Sequence, residues 1–216
     1  MLYNNLKLNS DKTELLIFHA KHRPAPPLDS INIGDLVISS SKSCMNIGVT
    51  FDSYMNFDEH TKNICRIAFY YIRNIAQFRK FLSYDTAKIS MHAFVRSRID
   101  SCNALLFGLP NFLIQRLQCV LNSAARVIAR SRKFDHITPL LIELHWLPVE
   151  QRIIFKILLF TFKVVNGLAP SYLSELLEAY VPMRMLRSSL QLLLLEPKFN
   201  LKTYGKFVSL HKVLKV

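Results

Sequence analysis

The period of the apolar residues changes near residue 56, and this change limits the fold more than any other feature of the chain. Before it, apolar residues form short runs between turn residues; after it, they recur every three or four positions. Residues 14–18 are a short apolar run, ended by residues 19–27 with their three prolines. Residues 31–38 place Gly34-Asp35 between two β-branched pairs, a hairpin pattern. Residues 45–51 read as a further strand. Three or four short strands cannot bury a core by themselves. Residues 1–55 are therefore expected to be a small hairpin-and-strand piece packed on something else.

From Phe57 onward the pattern is helical. With Lys62 as origin and about 100° per residue, Ile64, Ile67, Ala68, Tyr71, Ile72, Ile75 and Phe78 share one side. Lys62, Arg66, Phe69, Arg73 and Lys80 lie within about 40° of the origin on the other. A second helix, capped by Ser83 or Asp85, runs through Ile89, Phe94 and Ile99 to Gly108. A third opens with Pro110 in its first turn. Leu113, Leu117, Val120, Leu121, Ala124, Val127 and Ile128 form its apolar face. Arg116, Arg126 and Arg130 share the opposite face, and Arg132 and Lys133 follow its end.

Thr138-Pro139 then caps a short helix to Trp146, stopped by Pro148. A longer helix, residues 149–166, ends at Gly167. It is apolar almost all round apart from Arg152, Lys156 and Lys163, which predicts a central place in a bundle. Ala169-Pro170 opens another helix to about Ala179. From Met183 the pattern is ambiguous, with strand patterns at 190–195 and 199–210. The expected class is α+β, predominantly α: a small hairpin-and-strand piece at 1–55, a basic helical bundle at 56–181, and a strand-rich or frayed tail at 182–216.

Composition decides what such a chain can meet. Half of its residues are hydrophobic, which excludes an intrinsically disordered chain. The formal net charge is +13, and all of that surplus lies after residue 55. A surplus of this size points to a polyanionic partner. Cys44, Cys65, Cys102 and Cys119 follow no disulfide or zinc spacing. Residues 1–10 contain no apolar run of the signal-peptide kind. Residues 153–165, the longest hydrophobic stretch, are interrupted by Lys156 and Lys163 and fall short of the roughly 20 needed to span a bilayer. These readings predict an intracellular protein, cytoplasmic or nuclear, with reduced thiols and no membrane partner.

Catalytic patterns are missing from the sequence. There is no G-x-S-x-G, no C-x-x-C, no H-x-x-x-H and no G-x-x-x-x-G-K-[ST]. His136 and His145 bracket one short helix, a spacing that suits helix capping or core hydrogen bonding better than metal binding, and His60 with Cys65 reads the same way. No catalytic residue, metal ligand or cofactor is assigned. The basic faces carry two readings. Lys62, Arg66, Arg73 and Lys80, with Phe69 among them, form either a rail for a phosphate backbone or a solvated helix face. Acidic residues are nearly missing from these faces, which favours the rail. The cluster of Arg126, Arg130, Arg132 and Lys133 carries the same alternatives, and part of it complements a helix C-terminus.

Several strings are more specific than these patterns. Leu6-Lys7-Leu8-Asn9-Ser10-Asp11-Lys12-Thr13-Glu14 resembles the segment just after the catalytic Y-x-D-D motif in reverse transcriptases of LINE-type, jockey-like non-LTR retrotransposons. Ile47-Gly48-Val49-Thr50-Phe51-Asp52, with Asn56-Phe57 and His60, is similar to the next block. Arg96-Ser97-Arg98-Ile99-Asp100-Ser101-Cys102-Asn103, Phe107-Gly108-Leu109-Pro110 and Asp135-His136-Ile137-Thr138-Pro139 resemble the thumb-side helices. Leu144-His145-Trp146-Leu147-Pro148-Val149, with Arg152 and Phe155-Lys156, is the most distinctive string. Gly167-Leu168-Ala169-Pro170, Tyr172-Leu173 and Leu186-Arg187-Ser188-Ser189 continue in the same order.

The resemblance implies the last palm strands, thumb and connection of an RNA-directed DNA polymerase, which hold template and primer by backbone contacts. Complete polymerases of this family use Mg²⁺ held by aspartates. This sequence contains no Asp-Asp pair, so the implied catalytic set is empty and the chain is expected to fall downstream of that motif. The family's closing Trp-Asn-x-Leu-Pro string is also missing after Tyr204-Gly205. The expectation is a non-catalytic fragment that binds an RNA template or RNA–DNA hybrid through Lys62, Arg66, Phe69, Arg73, Lys80, Arg116, Arg126, Arg130, Arg132 and Lys133. The alternatives are a host-adopted basic helical module that binds nucleic acid or protein, and an inactive product of a decayed element.

Overall fold

The structure is a computed structural model and describes residues 9, 12–22, 24, 26–33, 36–175, 177 and 194–195. The chain is α+β and predominantly α. It divides into two compact units, Met1–Ile64 and Cys65–Val216. The boundary falls inside the helix Asp58–Phe78.

In the first unit, β1 (Leu15–Leu16), β2 (Ser30–Ile33) and β3 (Leu36–Ser41) form a sheet of order β1-β3-β2. β2 and β3 are antiparallel, with Ile33 opposite Leu36, as the β-branched pairs predict. The Gly34-Asp35 tip lies outside the described residues. β1 joins β3 in parallel.

The single strand expected at 45–51 is instead a hairpin of β4 (Ser43–Asn46) and β5 (Val49–Asp52), with Asn46 opposite Val49. Ile47 and Gly48 form its two-residue turn, both at positive φ (48° and 78°), the combination a type I′ turn requires. Gly48 adopts this freely, whereas a β-branched residue does not. Ile47 is also 89% exposed, so its side chain gains little by burial. Ile47→Asn, which creates the favoured Asn-Gly turn, is expected to stabilise the chain by about 1 kcal/mol. Urea unfolding checks this, and an unchanged midpoint would contradict it.

The entry to α1 (Asp58–Phe78) is built by Asp52. Its carboxylate accepts the N–H groups of Tyr54 and Asn56 at 3.0 Å and of Phe57 at 2.7 Å. These bonds satisfy backbone donors where the chain turns from strand to helix. His60, one turn into the helix, is buried, and its Nδ1 accepts the Thr50 N–H at 3.3 Å. Burial pulls its pKa below the usual histidine range. The expected core role of His60 is the observed one.

The second unit is organised around α4 (Asn111–Ala129), which packs with α2 (Tyr84–Met91), α5 (Ile137–Glu143) and α6 (Val149–Val165). Leu113, Leu117, Val120, Leu121, Ala124 and Ile128 are buried, as the periodicity predicts, while Val127 is half-buried. Each fully buried large aliphatic contributes about 1.5–3 kcal/mol. Pro110 stands one residue before the helix, with extended backbone.

Ser83 caps α2, its Oγ accepting the Thr86 N–H at 3.1 Å. The expected run to Gly108 is not continuous. α2 passes through a π-helical stretch, His92–Arg96, into α3 (Ser97–Asp100), and the helix stops there. Ser101 is extended and Cys102 left-handed, and a 3₁₀ turn, Asn103–Leu106, follows.

The cap of α5 is His136 rather than Thr138. Pro139 then sits in the first turn, where its missing N–H costs nothing. Past its end, His145 is left-handed (φ 56°), with the His145 N–H donated to the Ile142 carbonyl and the Trp146 N–H to the Leu141 carbonyl. This is a Schellman closure with buried Trp146 and Leu141. The two histidines therefore stand at the ends of one helix.

α6 ends as expected at left-handed Gly167, with a second Schellman closure from Leu168 to Lys163. It is not central, however. Val149, Ile153, Ile157 and Thr161 are buried along one stripe, with Arg152 beside it, while Phe155, Phe160 and Phe162 are exposed. Gln118 of α4 accepts the Val149 N–H at 2.8 Å and so fixes the start of α6 against α4. The next helix is described over Ser171–Ser174 (α7). The rest of its expected run to 179, and the strand patterns at 190–195 and 199–210, lie outside the described residues apart from 175, 177 and 194–195. No helix among the described residues is long and apolar enough to cross a membrane.

Candidate nucleic-acid interface

On α1, Arg66, Phe69 and Arg73 follow one another on the exposed side, as the helical projection predicts. The buried side is narrower than the apolar pattern: Ile64, Ala68 and Ile72 are buried, Ile67, Tyr71 and Ile75 half-buried, and Phe78 exposed. Lys62 lies in the first unit and pairs with Asp58, one turn earlier, at 2.6 Å. An exposed pair of this kind adds little stability, but it compensates the Lys62 charge.

Lys80 does not continue this line. α1 ends at Phe78, and residues 79–81 form a 3₁₀ turn, so the 100° spacing no longer applies. Lys80 stands over the Phe81 ring, its Nζ 4.8 Å from the centroid. The turn itself is fixed by Arg79, a buried side chain that no charge pattern singles out. Its Nε donates to the Val127 and Ile128 carbonyls at 3.0 and 3.2 Å, and Nη2 to Ile128 at 2.6 Å. Nη1 donates to the Leu82 carbonyl at 2.8 Å. In return Arg130, left-handed at the end of α4, donates from Nη2 to the Arg79 carbonyl at 3.0 Å. Burial, then the neighbouring Arg130, lowers the Arg79 guanidinium below its ordinary range, with Tyr84 opposing. The 79–82 turn is thus joined to the C-terminus of α4, where cations are favoured by the last carbonyls.

The predicted cluster stands at this junction. Asp135 shapes the loop: its carboxylate accepts the Arg132 N–H at 2.6 Å, and its carbonyl accepts Nη2 of Arg126 at 3.4 Å. Arg126 is therefore half-buried and partly structural, and its Nε and the Ser131 hydroxyl are buried without a hydrogen-bond partner. Arg130, Arg132 and Lys133 are exposed. Lys133 stands 5.8 Å from the centroid of Phe134, which is 92% exposed, and Phe81 is 75% exposed. These two aromatics, each with its own lysine, carry no periodic signal in the sequence. Arg116 is set apart along α4, over the Phe112 ring at 5.5 Å.

The ten predicted residues therefore separate into Lys62 in the first unit, an α1 group of Arg66, Phe69 and Arg73, an end group of Lys80, Arg126, Arg130, Arg132 and Lys133, and Arg116. Among the described residues, no three His, Cys, Asp or Glu side chains gather as metal ligands. Asp52 is engaged by backbone N–H groups and Asp100 by Arg152, so neither carboxylate suits Mg²⁺. What the fold and this surface define is a class: an α+β, mainly helical chain with cations and exposed aromatics at one end of its helical unit. Comparison with protein-family models, curated proteins and solved structures returned no match to this chain.

Proposed function

We propose that this chain grips the backbone of an RNA template or of its RNA–DNA hybrid with the primer strand, without catalysing chemistry on it. In this reading it serves as the thumb and connection part of a LINE-type, jockey-like retrotransposon reverse transcriptase. The observation that carries the reading is the end group: Phe81 and Phe134, both exposed beneath their own lysines, beside Arg130 and Arg132. Cations that meet phosphates and aromatics that stack bases are the two parts of a sequence-tolerant nucleic-acid surface. Arg66, Phe69 and Arg73 repeat this combination on α1. The strings that resemble the family support the reading, and the sequence's lack of an Asp-Asp pair leaves it no polymerisation step.

If about six phosphates are contacted, log K for an RNA–DNA hybrid falls with log salt at a slope of about −5. Affinity then drops about 10³-fold between roughly 50 and 200 mM salt. Fluorescence anisotropy measures this directly. The double variant Arg66→Glu, Arg73→Glu is expected to weaken binding uniformly across sequences and to make the slope shallower by about two. A flat salt dependence would sink the reading, and unchanged binding by the double variant would remove α1 from the surface.

A further inference from the structure

A cavity of about 280 Å³ opens in the second unit between α3, the 3₁₀ turn that follows it and α6, with Arg96, Asp100, Asn103, Arg152, Phe155 and Lys156 in its lining. None of these residues belongs to the surface described above. Arg152 is 8% exposed and engages Asp100 with two nitrogens, Nε at 2.8 Å and Nη2. Arg96 lies over the Trp146 ring at 5.6 Å. Its Nε is buried, 3.7 Å from the Asp100 carboxylate and without a hydrogen bond. Lys156 is half-buried, with Nζ over the Phe160 ring at 5.2 Å. Asn103 is 5% exposed, and its Oδ1 is buried without a donor.

Charge and hydrogen bonding together specify the occupant. Three cations face the cavity against one carboxylate, which leaves two positive charges uncompensated. A phosphate monoester carries about −1.5 to −2 at neutral pH, whereas a carboxylate or a phosphodiester carries one charge. The unpaired acceptor on Asn103 needs a donor, which ionised phosphate oxygens cannot supply and a sugar hydroxyl can. The volume falls at the lower end of small-molecule sites, about 300 Å³. Phe155, exposed at the cavity, offers an apolar face to a sugar or base.

We propose that this cavity binds a phosphate monoester on a hydroxyl-bearing sugar, with Arg96 and Lys156 on the phosphate and Asn103 on the sugar hydroxyl. Burial, then Arg152, lowers the Arg96 guanidinium below its ordinary range, with Asp100 opposing, and a bound anion relieves that strain. The chemistry is shared by a free nucleotide and by the 5′-phosphorylated end of a strand.

Calorimetric titration of the full chain with ribose 5-phosphate, ribose and inorganic phosphate tests the site. Ribose 5-phosphate is expected to bind, ribose not to bind, and inorganic phosphate to bind about tenfold more weakly because it has no sugar hydroxyl to place at Asn103 while its charge sits at Arg96 and Lys156. Lys156→Met leaves the core intact and is expected to weaken ribose 5-phosphate about tenfold. Asn103→Leu is expected to abolish the preference over inorganic phosphate. No binding of ribose 5-phosphate to the wild-type chain, or equal binding by Lys156→Met with an unchanged melting temperature, overturns the proposal. Adenosine 5′-monophosphate against a 5′-phosphorylated oligonucleotide assigns the source: tighter binding of either names it, and binding of neither overturns the site. Arg66→Glu, Arg73→Glu is expected to leave these affinities unchanged, which separates this cavity from the backbone grip.

Discussion

Replacing Arg79 with alanine is expected to destabilise the second unit by about 3 kcal/mol, lowering its melting temperature by about 10 °C. The guanidinium spends all three nitrogens on backbone carbonyls: Val127 and Ile128 at the end of α4, and Leu82 in its own turn. Helix C-termini leave their last carbonyls without internal partners, and here those carbonyls are covered by protein. Removing the side chain strands them and takes away a positive charge where the helix dipole favours one. Lysine cannot replace the fork, so Arg79→Lys is expected to recover less than half of the loss. Urea unfolding of both variants measures this, and a loss below about 1 kcal/mol would mean that water caps α4 equally well. A second readout follows from the position of Arg79. It is buried and has no face to offer a phosphate, yet it holds the Lys80–Phe81 turn to α4. Hybrid affinity is therefore expected to fall in Arg79→Ala through misplacement of that turn.

The contrast between Arg79 and Lys80 shows what a sequence discloses here. The apolar face of α4 was legible because Leu113, Leu117, Val120, Leu121, Ala124 and Ile128 repeat with helical spacing, and burial follows that spacing directly. Ser83 was legible as a cap because its chemistry is local. The projection of α1 failed at Lys80, two residues after the helix gives way to a 3₁₀ turn, and it assigned that lysine the wrong neighbours. Arg79 was hidden because its value depends on carbonyls nearly fifty positions away. The hairpin at 43–52 was missed because Ile47 is a poor residue for left-handed backbone and reads as strand. Phe81 and Phe134 gave no signal, since a single exposed aromatic in a turn has no period. The α1 cations were legible as a face, but the pairing of Lys62 with Asp58 was read through rather than read.

Asp100→Ala is expected to cost about 3–5 kcal/mol, the largest loss of any single change considered for this chain. Arg152 is almost fully buried on α6, and Asp100 at the end of α3 is its carboxylate partner, 52 positions earlier. Without that carboxylate the Arg152 guanidinium stays buried and faces Arg96, a second cation, across the cavity. The converse change is expected to cost less. Arg152→Met leaves Asp100 about one-third exposed, with Arg96 at 3.7 Å to compensate it. Combining the two substitutions removes the uncompensated charge, so Asp100→Ala with Arg152→Met is expected to be more stable than Asp100→Ala alone. A double-mutant cycle by urea unfolding gives the coupling, and additive losses would show that the pair does not dock α6 to α3. The same ion pair joins two separate strings of the sequence, residues 96–103 and the Arg152–Lys156 segment. Neither string explains itself as a helix: one passes through a left-handed cysteine, and the other buries an arginine beside an apolar stripe. Each supplies half of a charge pair that the other makes tolerable, and the cavity beside it inherits the remaining cations.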